Sequence, residues 1–319
     1  MKIVITGASG YLGSRLCLFL ANNGHEIIAN CFFKIPQKKG WTEKITQFII
    51  GDIRDENIIK RISESKPDII IHLISLDHYD SEKSPQIVSD TNVLPTWNLL
   101  NSCSGKGLKK FIYFSTIHVY GKNQNGVIFE DQNTTPYNSY GLTHALSEEI
   151  CNFYHRKQQT ECINIRLSNS YGEPVFPDAK CWNLIVNDLV RSAFLNKKII
   201  LRGDGTQVRD FIHFSDICSL VNSLVENKLN KLNTFHLSSS KSLNMIDVAI
   251  EVKKVYSKIF GEEIPIFINK TEKLKNIKNS KRNSQLISND LIKNISHIKF
   301  KKLSEGINDL FYYLKLNNA

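Results

Sequence analysis

The chain has 319 residues, of which 41% are hydrophobic, and it carries a formal net charge of +10 at pH 7. This composition is typical of a globular protein and excludes disordered and collagen-like chains. No apolar run reaches the roughly 18 residues that a membrane span needs, and the first residues lack the pattern of a signal peptide. Seven scattered Cys without paired spacing argue against a disulfide framework and a zinc site. We therefore expect a cytoplasmic protein.

The surplus of positive charge is concentrated late in the sequence. The basic residues of this stretch are Lys270, Lys273, Lys275, Lys278, Lys281 and Arg282. A site for single-stranded nucleic acid would interleave aromatic side chains with these charges, and the stretch contains almost none. We interpret the surplus as a solvated surface and expect neither nucleic acid nor a membrane as a partner.

Strand-like and helix-like patterns alternate along the first half of the chain. In chain order we predict a strand at residues 2–6, a helix at 11–23, strands at 26–33, 47–50 and 68–74, a helix at 87–104, a strand at 110–115, a helix at 139–158 and a strand at 162–167. The helix at 139–158 carries an apolar stripe that is typical of a helix packed on a core, formed by Leu142, Ala145, Leu146, Ile150 and Phe153. The alternation predicts an α/β fold with a doubly wound parallel sheet, and its loss after residue 166 predicts a second lobe.

Three glycines, Gly7, Gly10 and Gly13, lie between the first predicted strand and the first predicted helix. Glycines at this junction allow a tight turn, close approach of the backbone to a pyrophosphate, and close packing of the helix. The start of the helix then offers unpaired N–H groups and the positive end of its dipole to phosphates. A purely structural turn would need three coincidental glycines here, so we predict a dinucleotide site that also includes Tyr11 and Leu12.

Further segments follow this turn in a recognisable order. They are residues 51–55, 72–75, 92–100, 114–121, 137–144, 166–174 and 203–213. From residue 3 to about residue 250 the sequence resembles the extended short-chain dehydrogenase/reductase superfamily, specifically its NAD-dependent epimerase/dehydratase (nucleotide-sugar) family. The resemblance implies a Rossmann-type doubly wound parallel sheet with a smaller C-terminal substrate lobe. We expect the dinucleotide-binding domain at residues 1–166 plus about 205–238, and the substrate lobe at about 167–204 and 239–319.

Tyr140 and His144 stand where this family has a Tyr-x-x-x-Lys motif. In the family the Tyr gives or takes the proton of a sugar hydroxyl, while the Lys holds the nicotinamide ribose and supplies positive charge. A Tyr with an ordinary pKa of about 10 needs such help at neutral pH. A histidine four positions later shares the helix face and is charged only part of the time near pH 7. We expect His144 to anchor the cofactor. Three outcomes stay open for catalysis: it is retained with an altered pH dependence, it is weak, or it is lost.

The positions after the fifth strand bear on the type of reaction. By resemblance, Thr116 hydrogen-bonds the substrate oxygen beside Tyr140; the alternative is an ordinary β-branched strand residue. In the family's sugar 4,6-dehydratases the next two positions are an Asp and a Glu, which eliminate water. Here they are Ile117 and His118, and Ile cannot transfer a proton, so 4,6-dehydration is disfavoured. His118 is either a base for epimerisation next to a carbonyl or a structural residue.

The resemblance implies further contacts to cofactor and substrate. The expected cofactor contacts are Asp52, Ile53, Leu73 and Asn92, in addition to the glycine turn, Tyr140 and His144. On the substrate side, the guanidinium of Arg209 suits the oxygens of a diphosphate, and Asn169 is expected at the same phosphates.

The end of the second strand determines the type of cofactor. NAD-preferring members place an acid there for the ribose 2′-hydroxyl. Cys31 occupies that place, and Lys34, Lys38 and Lys39 follow it. The missing carboxylate and these charges leave NAD and NADP open and slightly favour NADP.

The resemblance thus implies an NAD(P)-dependent enzyme that acts on a nucleoside-diphosphate sugar, as a C4 epimerase or a 4-keto-sugar reductase, and a homodimer formed through two helices. The sequence does not separate these two reactions. A second hypothesis is a non-catalytic dinucleotide-binding or sensor protein, because the lysine of the motif is replaced by His144. A third, a nucleic-acid binder on the same scaffold, rests on charge alone.

Overall fold

The computed structural model describes residues 1–122, 126–227, 233–268, 272–273, 285–296 and 298–317. Strands and helices alternate through the first half of the chain as predicted. They are β1 (Lys2–Thr6), α1 (Tyr11–Asn22), β2 (Glu26–Cys31), β3 (Gln47–Ile50), α2 (Glu56–Glu64), β4 (Ile69–His72), α3 (Pro85–Val88), α4 (Leu94–Cys103), β5 (Lys110–Thr116), β6 (Gly126–Ile128), α5 (Ser139–Arg156) and β7 (Glu161–Leu167). A π-helical turn at Ser89–Val93 joins α3 to α4, and a 3-10 turn at Ile117–Tyr120 follows β5.

The described part of the second half contains shorter strands and four long helices. Its elements are β8 (Asn169–Tyr171), α6 (Ile185–Asn196), β9 (Ile199–Leu201), β10 (Val208–His213), α7 (Phe214–Glu226), β11 (Thr234–Leu237), β12 (Ser242–Asn244), α8 (Met245–Phe260), β13 (Ile266–Ile268), β14 (Glu272–Lys273), β15 (Gln285–Ile287), α9 (Asp290–Ile295) and α10 (Leu303–Leu316). Among the described helices, none combines the length and apolarity that crossing a bilayer requires.

A seven-stranded sheet forms the centre of the molecule, with the strand order β11-β7-β5-β4-β1-β2-β3. Every neighbouring pair in it is parallel. This confirms the predicted doubly wound parallel sheet. The strand order reverses between β1 and β4, and in such sheets the carboxyl ends of the strands at the reversal form the ligand crevice. Thr6, His72 and Thr116 end β1, β4 and β5 at this edge.

Both faces of the sheet are covered, which explains the continuous apolar character of its central strands. Ile3 and Ile5 of β1 pack in a cluster with side chains of α1 and α7. Val4, between them, packs in a second cluster with side chains of α2, α4 and α5. All three are fully buried, and burial of one such side chain stabilises the fold by about 1.5–3 kcal/mol.

A third apolar cluster brings together α6, α8 and α10, for example through Leu189, Val252 and Leu310. Three small sheets accompany it, with strand orders β12-β10-β8, β14-β13-β9 and β15-β6. The domain boundaries given above stay a prediction. Apart from the backbone of Lys273 in β14, the basic residues between 270 and 282 lie outside the described residues.

The apolar stripe of α5 faces the core only in part: Ala145 and Ile150 are half-buried and pack against apolar clusters. The prediction is wrong for the other three residues of the stripe. Leu142, Leu146 and Phe153 are 50%, 47% and 43% exposed. The face against the sheet instead carries polar side chains, including His144 and Glu148. The carboxylate of Glu148 and Nδ1 of His144 have hydrogen-bond partners within the protein, which offsets the cost of burying them.

Several predicted elements end earlier or are interrupted; for example, the strand predicted at 68–74 ends at His72. The strand predicted at 26–33 ends at Cys31, and the next two side chains, Phe32 and Phe33, are exposed. The helix predicted at 87–104 is interrupted by the π-helical turn that contains Asn92. Such turns occur mostly at functional sites, where they redirect a side chain.

Candidate active site

The glycine turn between β1 and α1 has a backbone that other residues would disturb. Gly7 has a positive φ of 69°, which lies in the left-handed region that favours glycine. A Cβ atom at Gly13 would lie 2.2 Å from the carbonyl oxygen of Gly7. No side chain of the described residues caps the first turn of α1, which begins after Gly10. The N–H groups of this turn are therefore available to an anionic group.

Tyr11 and Leu12 direct their side chains away from this anion position. The Tyr11 hydroxyl donates a hydrogen bond to the carbonyl oxygen of Gly172 at 2.6 Å and accepts one from Nδ2 of Asn187 at 3.0 Å. Leu12 is half-buried against the apolar cluster of α1. A cofactor contact of these two residues would be made by the backbone, and it stays a prediction.

The loop after β4 is held at the carboxyl edge of the sheet by a buried polar pair. Oγ1 of Thr6 lies 2.7 Å from Nδ1 of His72 and accepts a hydrogen bond from the backbone N–H of Leu73 at 3.2 Å. Burial lowers the pKa of His72 to about 3, so its ring is neutral. Leu73 is half-buried beside the glycine turn, where it lies close to Gly7.

Asn92 is buried, and its side chain joins this loop to α5. Its Oδ1 accepts from the backbone N–H of Leu76 at 2.8 Å, and its Nδ2 donates to Oγ1 of Thr143 at 3.0 Å. The backbone carbonyl oxygen of Asn92 accepts a hydrogen bond from the Ser147 hydroxyl at 2.9 Å. Both ends of the amide are therefore engaged within the protein, and Asn92 positions the loop against α5.

Three of the predicted catalytic side chains meet at the end of β5. The side chain of Thr116 lies close enough to the hydroxyl of Tyr140 to lower the pKa of the phenol. The rings of Tyr140 and His144 meet edge-on, with centroids 4.6 Å apart. The first turn of α5 approaches β5 closely, because a Cβ at Gly141 would lie 2.7 Å from the carbonyl oxygen of His118.

His144 is only 2% exposed. Its side chain makes one hydrogen bond, which joins Nδ1 and the hydroxyl of Tyr113 at 2.8 Å. Its Nε2 is buried and has no partner among the described residues. Burial lowers the pKa of His144 to about 3. The expectation that this ring is charged part of the time near pH 7 is therefore wrong: the imidazole offers a hydrogen bond and no positive charge.

The phenol of Tyr140 is correspondingly hard to ionise. Burial raises its pKa above the ordinary value, and the neighbouring side chain of Thr116 offsets only part of this effect. At neutral pH Tyr140 is a protonated phenol, which is suited to donating a proton to an alkoxide.

Two further imidazoles flank Tyr140. The ring centroids of His118 and His78 lie 5.7 and 6.4 Å from that of Tyr140. Burial, the charge of Arg209 and the proximity of His78 lower the pKa of His118 to about 4. His118 is therefore neutral at pH 7, and it stays a candidate base.

The predicted substrate-side residues are held by the backbone of β10. The guanidinium of Arg209 donates to the carbonyl oxygen of Val208 at 3.1 Å and lies near His118. Nδ2 of Asn169 donates to the carbonyl oxygen of Asp210 at 2.9 Å. The contact of these two residues with substrate phosphates stays a prediction.

The segments after β2 and β3 present little charge to an adenosine ribose. Cys31 is fully buried, and Nζ of Lys38 donates a hydrogen bond to the carbonyl oxygen of Val175. The carboxylate of Asp52 is paired with the guanidinium of Arg54 at 2.5 Å, which lowers the pKa of the carboxyl. Ile53 is 2% exposed. Lys34 and Lys39 are exposed cations of this region.

Sequence interpretation missed two residues that support the site. Tyr113 holds the ring of His144 from β5, and nothing in the local sequence marks this contact. Glu148 lies one turn after His144 on the same face of α5 and binds the buried guanidinium of Arg166 at 2.7 Å. Tyr140, His144 and Glu148 follow one another at intervals of four residues, which places them on one face of a helix. This spacing is the sequence signal that could have identified Glu148.

The sequence profile of the NAD dependent epimerase/dehydratase family matches residues 3–236. The chain belongs to this family. A dTDP-D-glucose 4,6-dehydratase of Dictyostelium discoideum is 28% identical over 278 residues, which cover 79% of this chain and 61% of the relative. A putative UDP-glucose 4-epimerase of Methanocaldococcus jannaschii is 27% identical over 244 residues, covering 76% of this chain and 79% of the relative. Family members with different reactions are thus about equally similar to this one.

Solved structures of family members share the fold. A UDP-glucose 4-epimerase from Thermotoga maritima with UDP-glucose superposes with a TM-score of 0.83 at 21% identity and full coverage of both chains. A UDP-glucuronic acid 4-epimerase from Bacillus cereus, in complex with UDP-glucuronic acid and NAD, has a TM-score of 0.78 at 24% identity, with 99% of this chain and 100% of that chain covered.

Proposed function

We propose that this family member is an NAD(P)-dependent oxidoreductase or epimerase that acts at a ring carbon of a nucleoside-diphosphate sugar. The observation that carries the proposal is the meeting of Tyr140, Thr116 and His144 at the carboxyl edge of the sheet, where the strand order reverses. The relatives above supply the substrate class, since their names include a UDP-sugar epimerase and a dTDP-sugar dehydratase.

The residues present fit a dinucleotide. The uncapped first turn of α1 suits a pyrophosphate, and the space that a Cβ at Gly13 would fill lets the turn pack tightly. The buried Nε2 of His144 lacks a partner among the described residues and suits a ribose hydroxyl. When bound, the nicotinamide ring supplies the site that accepts or donates hydride.

In this proposal the side chains of the chain itself handle the proton and the orientation of the sugar. Tyr140 donates its phenolic proton to the sugar oxygen during ketone reduction and takes a proton back during alcohol oxidation. Thr116 holds the same oxygen by a hydrogen bond, so that the oxygen stays beside the phenol. His144 fixes the cofactor ribose through a neutral hydrogen bond, with its ring held by Tyr113.

Reaction at C4 is the favoured form, either as epimerisation or as reduction of a 4-keto sugar. The raised pKa of Tyr140 supports the reducing direction, because a protonated phenol is a proton donor at neutral pH. Ile117 at the start of the turn after β5 cannot transfer a proton, which makes 4,6-dehydration the less favoured reaction. An epimerase is expected to retain its cofactor on purification, and a reductase to depend on added cofactor.

We extend the proposal to NADP as well as NAD. The end of β2 carries no carboxylate to repel a 2′-phosphate, and Lys34 and Lys39 are exposed nearby. Lys38 is less available because its ammonium is bound to a backbone carbonyl. The Bacillus cereus epimerase described above was solved with NAD, which makes NAD the first cofactor to test.

A cytoplasmic location is part of the same proposal. All seven Cys are buried and unbridged, as expected in a reducing compartment.

The experiment is a turnover assay of purified protein with NAD, NADP and their reduced forms against a panel of UDP- and dTDP-sugars. Tyr140→Phe should lower turnover by about 10²–10⁴-fold, the usual contribution of one general acid–base group, and leave cofactor binding intact. Tyr312→Phe, which removes the hydroxyl of an exposed tyrosine on α10, is the matched control and should retain full activity. Equal turnover of the two variants would refute the role of Tyr140.

A non-catalytic sensor is the second candidate, and the neutral His144 favours it. It predicts that NAD or NADP raises the unfolding temperature while no sugar nucleotide of the panel changes the nicotinamide absorbance. Turnover by the wild-type protein would exclude it.

A further inference from the structure

Three side chains that the proposed reaction does not use converge between β10 and α10. Glu173 lies in the loop after β8, His213 is the last residue of β10, and Asp309 lies on α10. One ligand atom from each lies within 4.8 Å of the others, and they form a mixed set of one nitrogen and two oxygens. We call this group the Glu–His–Asp cluster.

His213 is oriented into the cluster with an unused nitrogen. The side chain is only 3% exposed, and Nε2 has no hydrogen-bond partner within the described part of the chain. Oε2 of Glu173 is buried and equally without a partner there, and the two atoms lie 3.7 Å apart. Leaving two buried polar atoms unsatisfied is costly, so their convergence requires a physical explanation.

We propose that the Glu–His–Asp cluster binds a divalent transition-metal ion of the Zn²⁺ class through Glu173, His213 and Asp309. Imidazole nitrogen together with carboxylate oxygen suits Zn²⁺, whereas Mg²⁺ and Ca²⁺ favour sites built of oxygen alone. Tetrahedral bonds of about 2.1 Å place ligand atoms about 3.4 Å apart. The Glu173–His213 separation is already close to this value, and small side-chain rotations bring in Asp309.

The surroundings of the cluster contain the outer partners that metal ligands usually have. Nδ1 of His213 accepts a hydrogen bond from the backbone N–H of Ser215 at 3.2 Å and lies 2.8 Å from the hydroxyl of Ser215. Metal binding at Nε2 uses the other tautomer, in which Nδ1 carries the proton and donates it to that hydroxyl. Oε1 of Glu173 is held by Arg15 at 2.7 Å, so that Oε2 remains for the ion. Asp309 is paired with Lys301.

The ion would join segments that are distant in sequence. Glu173 follows β8, His213 precedes α7, and Asp309 belongs to α10, the last described helix. Binding to the native state alone would raise stability with metal concentration. The three ligands leave a fourth position for water.

The test is isothermal titration of metal-free, tag-free protein with ZnCl2, with MgCl2 as the reference ion, together with thermal unfolding at saturating ZnCl2. We expect one Zn²⁺ per chain, a higher unfolding temperature, and no comparable effect of Mg²⁺. His213→Asn removes Nε2 but keeps an acceptor that can cap α7 at Ser215, and Glu173→Gln removes the charge with little change in shape. Each should weaken Zn²⁺ binding by at least about tenfold.

His25→Asn is the matched control, because this histidine lies outside the cluster and bonds to Asn222. The control should bind Zn²⁺ like the wild type. Absence of stoichiometric binding to the wild type, or equal affinity of the cluster variants and the control, would overturn the proposal. Turnover of sugar nucleotides is a separate measurement, so failure here leaves the proposed activity unaffected.

Discussion

The imidazole of His144 and the phenol of Tyr140 meet edge-on inside the protein, with centroids 4.6 Å apart. A lysine at position 144 would place a permanent charge beside the phenol and favour its ionised form. The neutral histidine does not, so the proton of Tyr140 is held more tightly. The chemical consequence is a phenol that stays protonated at neutral pH and is seldom ionised to act as the base that oxidation of a sugar alcohol needs.

Replacing this histidine by lysine should therefore change the pH dependence of the enzyme. In His144→Lys the added charge lowers the pKa of Tyr140, and the rise of sugar oxidation with pH should move to lower pH while turnover is preserved or increased. The measurement is kcat as a function of pH. Glu149→Lys, on the exposed face of the same helix, adds a lysine away from the phenol and should leave the profile unchanged. Complete loss of turnover in folded His144→Lys protein would contradict this role.

Single residues differ in how far the sequence could predict their roles. Tyr140 and Thr116 could be placed because they occupy fixed positions at the end of a strand and the start of a helix. The charge state of His144 could not be predicted from the sequence, because it depends on burial of the ring between β5 and α5. The cofactor contact of Asn92 stays a prediction. Its amide also positions the loop, a role that only the tertiary hydrogen bonds reveal.

Helix α5 has two faces with opposite functions. Its polar face is buried against the sheet and carries the proposed catalytic residues, while Leu142, Leu146 and Phe153 project outward. Trp97 of the adjacent helix α4 is 50% exposed as well. Such a contiguous exposed apolar surface is typical of an interface, and we propose that α4 and α5 pair with the same helices of a second copy.

A charge in this surface should separate the two copies. Leu146→Glu places an ionised group in the proposed interface, and we expect it to give a monomer where the wild type is a dimer. Light scattering coupled to size-exclusion chromatography measures the mass directly. Leu316→Glu, at the exposed end of α10, is the matched control and should stay dimeric. A wild-type monomer, or a Leu146→Glu dimer, would contradict the proposed pairing.

The strands and the glycine turn could be predicted because their signals are local. β1 is continuously apolar, and the positive φ of Gly7 and the tight packing at Gly13 require glycine. The orientation of α5 could not be predicted from its apolar stripe, since a face that binds a partner resembles a face that binds a core. The break in the helix at Asn92 likewise depends on the loop that it holds.

Across the whole molecule, several histidines are buried in their neutral form. Burial lowers the pKa of His72 and His144 to about 3 and that of His236 to about 4, well below the ordinary value of 6.5. The unfolded chain binds protons at these sites below pH 6.5, and the folded chain does not until the pH approaches 4. The free energy of unfolding therefore falls as the pH drops through this range.

Acid should accordingly destabilise the protein well above the ordinary pKa of its carboxyl groups. Each of these histidines contributes a loss of about 2 kcal/mol between pH 7 and pH 5. Urea unfolding at these two pH values measures the loss. His144→Gln should reduce it by about 2 kcal/mol, and His25→Asn, outside this buried set, should leave it unchanged. A free energy of unfolding that is equal at pH 7 and pH 5 would contradict this account.

The most direct measurement is a crystal structure of the protein grown with saturating NAD or NADP. The account predicts the pyrophosphate at the first turn of α1, a ribose hydroxyl hydrogen-bonded to Nε2 of His144, and the nicotinamide ring beside the phenol of Tyr140. A crevice that stays empty under these conditions, or a nicotinamide directed away from Tyr140, would contradict it.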